Sequence, residues 1–168
     1  MRFLAVAVIL TAFFTAAANA QAFEDVPPWH WAREAIDRLA VARVIVGFPP
    51  NNRDLAVNAV TQVYESFAHA SHPDVQAWAE RFLTNLPAGW PQPLQRSSLV
   101  RYRLEQFGVR FGAQGAGRVS FVAVTAVRSA GATTSRRVSV QAEVQQDRDG
   151  RWRVNYSSLA SAQPEIFR

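Results

Sequence analysis

Between Arg137 and Glu143 the chain repeats with period two. Val138, Val140, Ala142 and Val144 alternate strictly with Arg137, Ser139, Gln141 and Glu143. Residues two apart on an extended chain share a face, so this stretch commits to a strand with one apolar and one wet side. Asp147-Arg148-Asp149-Gly150 reads as a hairpin turn, and beyond it Trp152, Val154 and Tyr156 alternate with Arg151, Arg153 and Asn155. Upstream, Val119 to Arg128 carries apolar residues on both sides: Val119, Phe121 and Ala123 on one, Val122, Val124 and Ala126 on the other. That pattern predicts a strand covered on both faces. Together these segments predict a three-stranded antiparallel meander, followed by an irregular tail after Ser161.

Ahead of Gly117 the apolar spacing is helical. A first helix is predicted from about Trp29 to Val41, with Trp31, Ala35, Ile36 and Leu39 on its inward face and Asp25 as its cap. The β-branched run Val44-Ile45-Val46 reads as an extended link, ended by Gly47 and the Pro49-Pro50-Asn51-Asn52 cluster. A second helix is predicted from Asp54 to Ala70, capped by Asp54, with Val60, Val63, Tyr64 and Phe67 inward. A third runs from Asp74 to Thr84 through Val75, Trp78, Phe82 and Leu83, and a fourth from Ser97 to Phe107 through Val100, Leu104 and Phe107. The turn-rich stretch Leu86 to Pro93 separates these last two. The expected class is α+β: a helical hairpin over residues 21–72, then a domain over 73–168 with helices before a sheet.

The first twenty residues carry one charge at Arg2, an apolar run from Phe3 to Phe14, and a close in Ala18-Asn19-Ala20. This is the layout of a secretory signal peptide cleaved after Ala20. Later segments hold no run apolar enough to predict a transmembrane helix in the mature chain. The chain has no cysteine, which removes disulfide scaffolds and thiol catalysis from an exported protein. Charge is uneven. Residues 21–96 hold six arginines against eight acids, and residues 97–168 hold eleven against five. A basic half points to a polyanionic partner. Export argues against nucleic acid and for an anionic wall polymer, lipid headgroups or an acidic envelope protein.

The stretch FEDVPPWHWAREAIDRLAVARVIVGFP then acquires a meaning. Phe23, Asp25, Val26, Pro27, His30, Trp31, Ala32, Ala35, Ile36, Leu39, Gly47, Phe48 and Pro49 match, in order and spacing, the opening of an S-layer homology domain. The chain resembles one such module over residues 23–70. Phe23, Asp25, Pro27, Gly47 and Pro49 are its structural positions. The resemblance implies noncovalent attachment to wall-linked, often pyruvylated polysaccharide, with Trp29, His30, Trp31 and Arg33 as the glycan contacts. Trp29, beside Trp31, is the ring in excess of what a core needs. The family's Thr-Arg-Ala-Glu stretch is replaced by Val60-Thr61-Gln62-Val63-Tyr64, and the small turn residue by Arg43. Family members usually carry three tandem copies. A lone copy must trimerise, pair with another protein, or act as a structural hairpin, so a homo-oligomer is one open state.

The chemistry of catalysis is thin. His69-x-x-His72 with Asp74 nearby has metal-like spacing but too few ligands, and a solvated helix end is the simpler reading. No metal and no cofactor is expected. There is no Gly-x-Ser-x-Gly and no phosphate loop. Glu143, Asp147 and Asp149 read as solvent-facing, so a non-enzymatic protein is expected. The second half also resembles, weakly, NTF2-like α+β folds through its helices, long strands and Asp149-Gly150-Arg151-Trp152-Arg153-Val154 ending. That resemblance implies a ligand-binding or isomerase-like pocket behind the sheet, tethered to the envelope. A third reading is an adaptor whose basic sheet face, Arg137, Arg151 and Arg153, docks an acidic partner.

Overall fold

The computed structural model describes residues 26–42 and 51–168. The expected signal peptide, Phe23, Asp25, the expected Val44-Ile45-Val46 link, Gly47, Phe48 and Pro49 lie outside the described residues. The elements in chain order are helices α1 (Arg33–Val41), α2 (Asn52–Ala68) and α3 (Val75–Phe82), strand β1 (Leu83–Thr84), helix α4 (Gln92–Gln95), strands β2 (Leu99–Phe111), β3 (Ala116–Ser129), β4 (Ala132–Gln146) and β5 (Trp152–Asn155), and helices α5 (Tyr156–Ala162) and α6 (Pro164–Phe167). The protein is α+β.

Five strands form one sheet in the order β1-β5-β4-β3-β2. Neighbours pair antiparallel except β1 and β5, which are parallel. On β4 the side chains of Val140, Ala142 and Val144 are buried, while Ser139, Gln141 and Glu143 are exposed, as the alternation requires. β3 buries Val119, Phe121, Ala123 and Thr125, but Val122 and Val124 on its other side are only half-buried. Only Ala126 of that second side is buried, so the expectation of a strand covered on both faces holds there alone. Helices cover one face of the sheet, and the other faces solvent.

The segment predicted as a fourth helix, Ser97 to Phe107, is instead most of β2. Its pairing with β3 slips at Leu99/Arg101 and again at Glu105/Gly108, and Gln106 takes a φ of 57° at the second slip. Each bulge inserts one residue into the strand. Leu99 is buried, and Tyr102, Leu104, Phe107 and Val109 also pack against the core, at intervals of three and two. Two bulges in a strand thus imitate helical spacing. The second bulge also returns Phe107 to the inner face, where its ring lies 5.7 Å from Phe121.

α2 organises the core. Asn51, not Asp54, is its cap: the Asn51 side chain accepts from the Asp54 N–H at 2.9 Å. Ala56, Ala59, Val60, Val63, Tyr64 and Phe67 recur at three and four and are all fully buried. They pack on β2, β3 and β5, and the side of the helix toward α3 meets Val75, Trp78 and Ala79. Helix α2 therefore belongs with the sheet. Residues on both sides of the expected boundary at 72/73 share one hydrophobic core, and α2 does not pair with α1 to make a self-contained hairpin.

The tail after Ser161 is not irregular. Tyr156, expected at the end of a strand, opens α5, capped by Asn155. The Tyr156 hydroxyl donates to the Phe167 carbonyl. α6 delivers Ile166 and Phe167 into the core, where the Phe167 ring sits edge-on to Phe67 and Tyr64 at 4.7 and 5.3 Å. The Tyr64 hydroxyl donates to the Gln163 side-chain oxygen beside them. These rings, with Phe121 and Val140, fill the space between helices and sheet.

Candidate functional site

The residues before α1 form a tight turn. The His30 N–H donates to the Pro27 carbonyl at 3.0 Å and the Arg33 N–H to the His30 carbonyl at 2.9 Å. The Ala32 N–H donates to His30 Nδ1 at 3.2 Å, so the imidazole caps this entry. Arg33 turns back: its guanidinium donates to the Val26 carbonyl and, through Nε, to Asp37 at 2.8 Å. Arg33 is thereby committed to holding the turn against the helix.

Trp29 is half-buried. Its ring lies 5.6 Å from His69, 5.1 Å from His72 and 6.0 Å from Trp78. Its indole N–H points to Glu65 at 3.4 Å. Glu65 also accepts from the Tyr102 hydroxyl at 2.7 Å and lies 3.3 Å from His69 Nδ1. His69 is the exposed C-cap residue of α2, and with His72 it flanks the ring that seats the N-terminal segment on α2 and α3. Among the described residues no group of three His, Cys, Asp or Glu side chains is placed to hold a metal ion. Glu65 carries little sequence signal, because two of its three partners, Trp29 and Tyr102, lie 36 and 37 residues away.

Trp31 faces the other way. It is 92% exposed, with its ring stacked on His30 at 5.7 Å and 29°. The inward face predicted for α1 is turned outward: Ala35 is exposed, Leu39 is 41% exposed and only Ile36 is half-buried. An open concavity of about 700 Å³ lies along this side, lined by Pro28, His30, Trp31, Glu34, Arg38 and Ala42 among others. Glu34 and Arg38 pair across one helical turn at its rim. Of the four predicted contact residues, His30, Trp31 and Arg33 line this open surface, Arg33 with its guanidinium already engaged by Val26 and Asp37. Trp29 is not part of the lining and packs on α2 and α3.

The other acids expected to face solvent divide. Glu143 and Asp149 are exposed, but Asp147 is half-buried and structural. It accepts from the Asp149 and Arg151 N–H groups at 3.0 and 2.9 Å and from Arg153 Nε at 3.0 Å. Burial raises the Asp147 carboxyl, but these donors outweigh it and hold it below the usual aspartate value. Much of the basic sheet face is similarly compensated: Arg137 lies 3.3 Å from Glu105, which also pairs with Arg103 at 2.6 Å.

No protein-family model matches the chain, and no curated protein matches it.

Proposed function

We propose that this is an exported, non-catalytic protein of the cell envelope or cell surface that attaches to anionic wall polysaccharide through the His30–Trp31 surface of a single S-layer-homology-like module. The observation that carries this reading is Trp31, a large aromatic left 92% exposed and stacked on an imidazole. An indole face matches the apolar face of a pyranose ring, and His30, Glu34 and Arg38 offer hydrogen bonds to hydroxyls and charge to a carboxylate. Trp29 and Arg33 support the contact by fixing the turn that presents it. The α+β body is the platform on which this turn rests.

The test is sedimentation of the purified protein with isolated wall sacculi at low and high salt. Salt-resistant pelleting, lost on stripping the wall polysaccharide and lost in Trp31→Ala, is the expected result. Pelleting that Trp31→Ala leaves unchanged refutes the assignment of the site. An acidic envelope protein docked on the sheet face is the competing reading, and it predicts salt-sensitive co-purification that does not depend on Trp31.

A further inference from the structure

The solvent-facing side of the sheet carries a second concavity, of about 470 Å³, to which all five strands contribute. Arg110 of β2, Arg118 of β3 and Glu143 of β4 stand in one cross-strand row. Gln145 of β4, Asn155 of β5 and Thr84 of β1 continue the lining. Arg110 and Arg118 are direct neighbours and both exposed. Like charges placed directly opposite destabilise a sheet. Elsewhere on this face Arg103 and Arg137 share Glu105, and Arg153 pairs with Asp147. Arg110 and Arg118 make no ion pair with any described carboxylate. Glu143 stands opposite Arg118, yet its Oε2 is engaged by Asn155 Nδ2 at 3.0 Å.

From this placement we infer that the groove is a binding site for a carboxylate-bearing oligosaccharide, separate from the His30–Trp31 surface and independent of it. The two guanidiniums supply fork-shaped donors for a carboxylate and relieve their own repulsion by binding it. Glu143 selects the charge. A single carboxylate balances the row, whereas a phosphate dianion meets a fixed anion beside Arg118. The rest of the lining sets the amides of Asn85, Gln145 and Asn155 and the Thr84 hydroxyl beside Phe111 and small residues, which suits a sugar's hydroxyls and its apolar ring face. A peptide fits less well, because the groove crosses the strands, whose backbone donors are already used in the sheet.

The experiment is titration of the purified protein with a galacturonic acid trimer, followed by calorimetry and by backbone amide shifts. Its methyl ester and inorganic phosphate are the comparison ligands. Saturable binding of the trimer, shifts on β2 to β5, and binding of the ester weaker by about tenfold or more are expected. The double variant Arg110→Gln with Arg118→Gln loses affinity on the order of a hundredfold, with its melting temperature retained. Arg101→Gln with Arg128→Gln removes the same charge from the opposite end of the sheet and changes affinity less than about twofold. Absence of saturable binding, equal loss in the two double variants, or phosphate binding more tightly than the trimer each overturns the assignment. Binding that survives in Trp31→Ala supports the independence of the two sites; binding lost in that variant refutes it.

Discussion

Replacing Trp29 by Ala tests whether one side chain seats the N-terminal turn on the body of the protein. Trp29 is half-buried among His69, His72 and Trp78. Half of the 150–250 Å² that a tryptophan can bury, at about 25 cal/mol per Å², is roughly 2–3 kcal/mol. The indole bond to Glu65 is long, at 3.4 Å, and contributes at the low end of the range for hydrogen bonds. No other helix or strand packs extensively on α1 among the described residues. Once undocked, its nine residues are too few to hold a helix in water. The amides of Arg33 to Val41 should then exchange with solvent faster by roughly 30- to 150-fold in Trp29→Ala. Amides of α2 and the sheet should keep most of their protection, since α2's core face does not depend on Trp29. Native-state hydrogen exchange read by mass spectrometry of peptides separates the two regions. If α1 keeps its protection while the whole molecule loses stability, the turn is not a separately docked unit and the argument fails.

Phe67→Ala removes a fully buried ring that packs against Phe167 and Trp90, and should cost about 3–5 kcal/mol in chemical denaturation; a loss under 1 kcal/mol would place the core elsewhere. All three tyrosines are raised above the ordinary value of 10.0: Tyr64 by burial and then the charge of Glu165, Tyr102 by burial and then its bond to Glu65, and Tyr156 by burial, to about 12. Their share of stability is therefore intact below pH 10 and is lost as pH climbs through the raised values. Phenolate absorbance should be small at pH 10 and should grow together with unfolding, and half-maximal ionisation at pH 10 in the folded protein would contradict this. Asp147 has the opposite sign. Its lowered pKa stabilises the fold above the ordinary aspartate value of 3.8, and that share disappears as pH falls through the lowered folded value. Asp147→Asn should thus be less stable at neutral pH and lose less stability on acidification; parallel pH profiles for the two proteins would refute the role.

The elements that depart from expectation are those whose spacing has two explanations. β2 carries Val100, Leu104 and Phe107 at helical intervals, yet it is a strand in which Val100 is exposed and two bulges bring Leu99, Tyr102, Leu104 and Phe107 to the core. The signal for a strand was the β-rich sequence around it, and no local rule weighs that against the period. α1 shows the same limit. Its apolar residues fit a buried face, but burial needs a surface to pack against, and Trp31 and Leu39 remain open. Trp31 is expected on the inward face and Trp29 as the spare ring, and the structure reverses the two. Which one packs and which one projects was settled by the direction of the turn after Pro27 and by His69 and His72 some forty residues away.

The sequence by itself determined the α+β class, the alternating face of β4, and the core stripes of α2 and α3, because each depends on the period of one continuous segment. Closure of the core by Ile166 and Phe167 and the joining of α2 to the sheet were decided only in the tertiary structure. So was the row Arg110–Arg118–Glu143 across three strands. These features depend on strand register and on which face meets which, and such contacts are fixed by the packing of distant segments, not by the residues of any one of them.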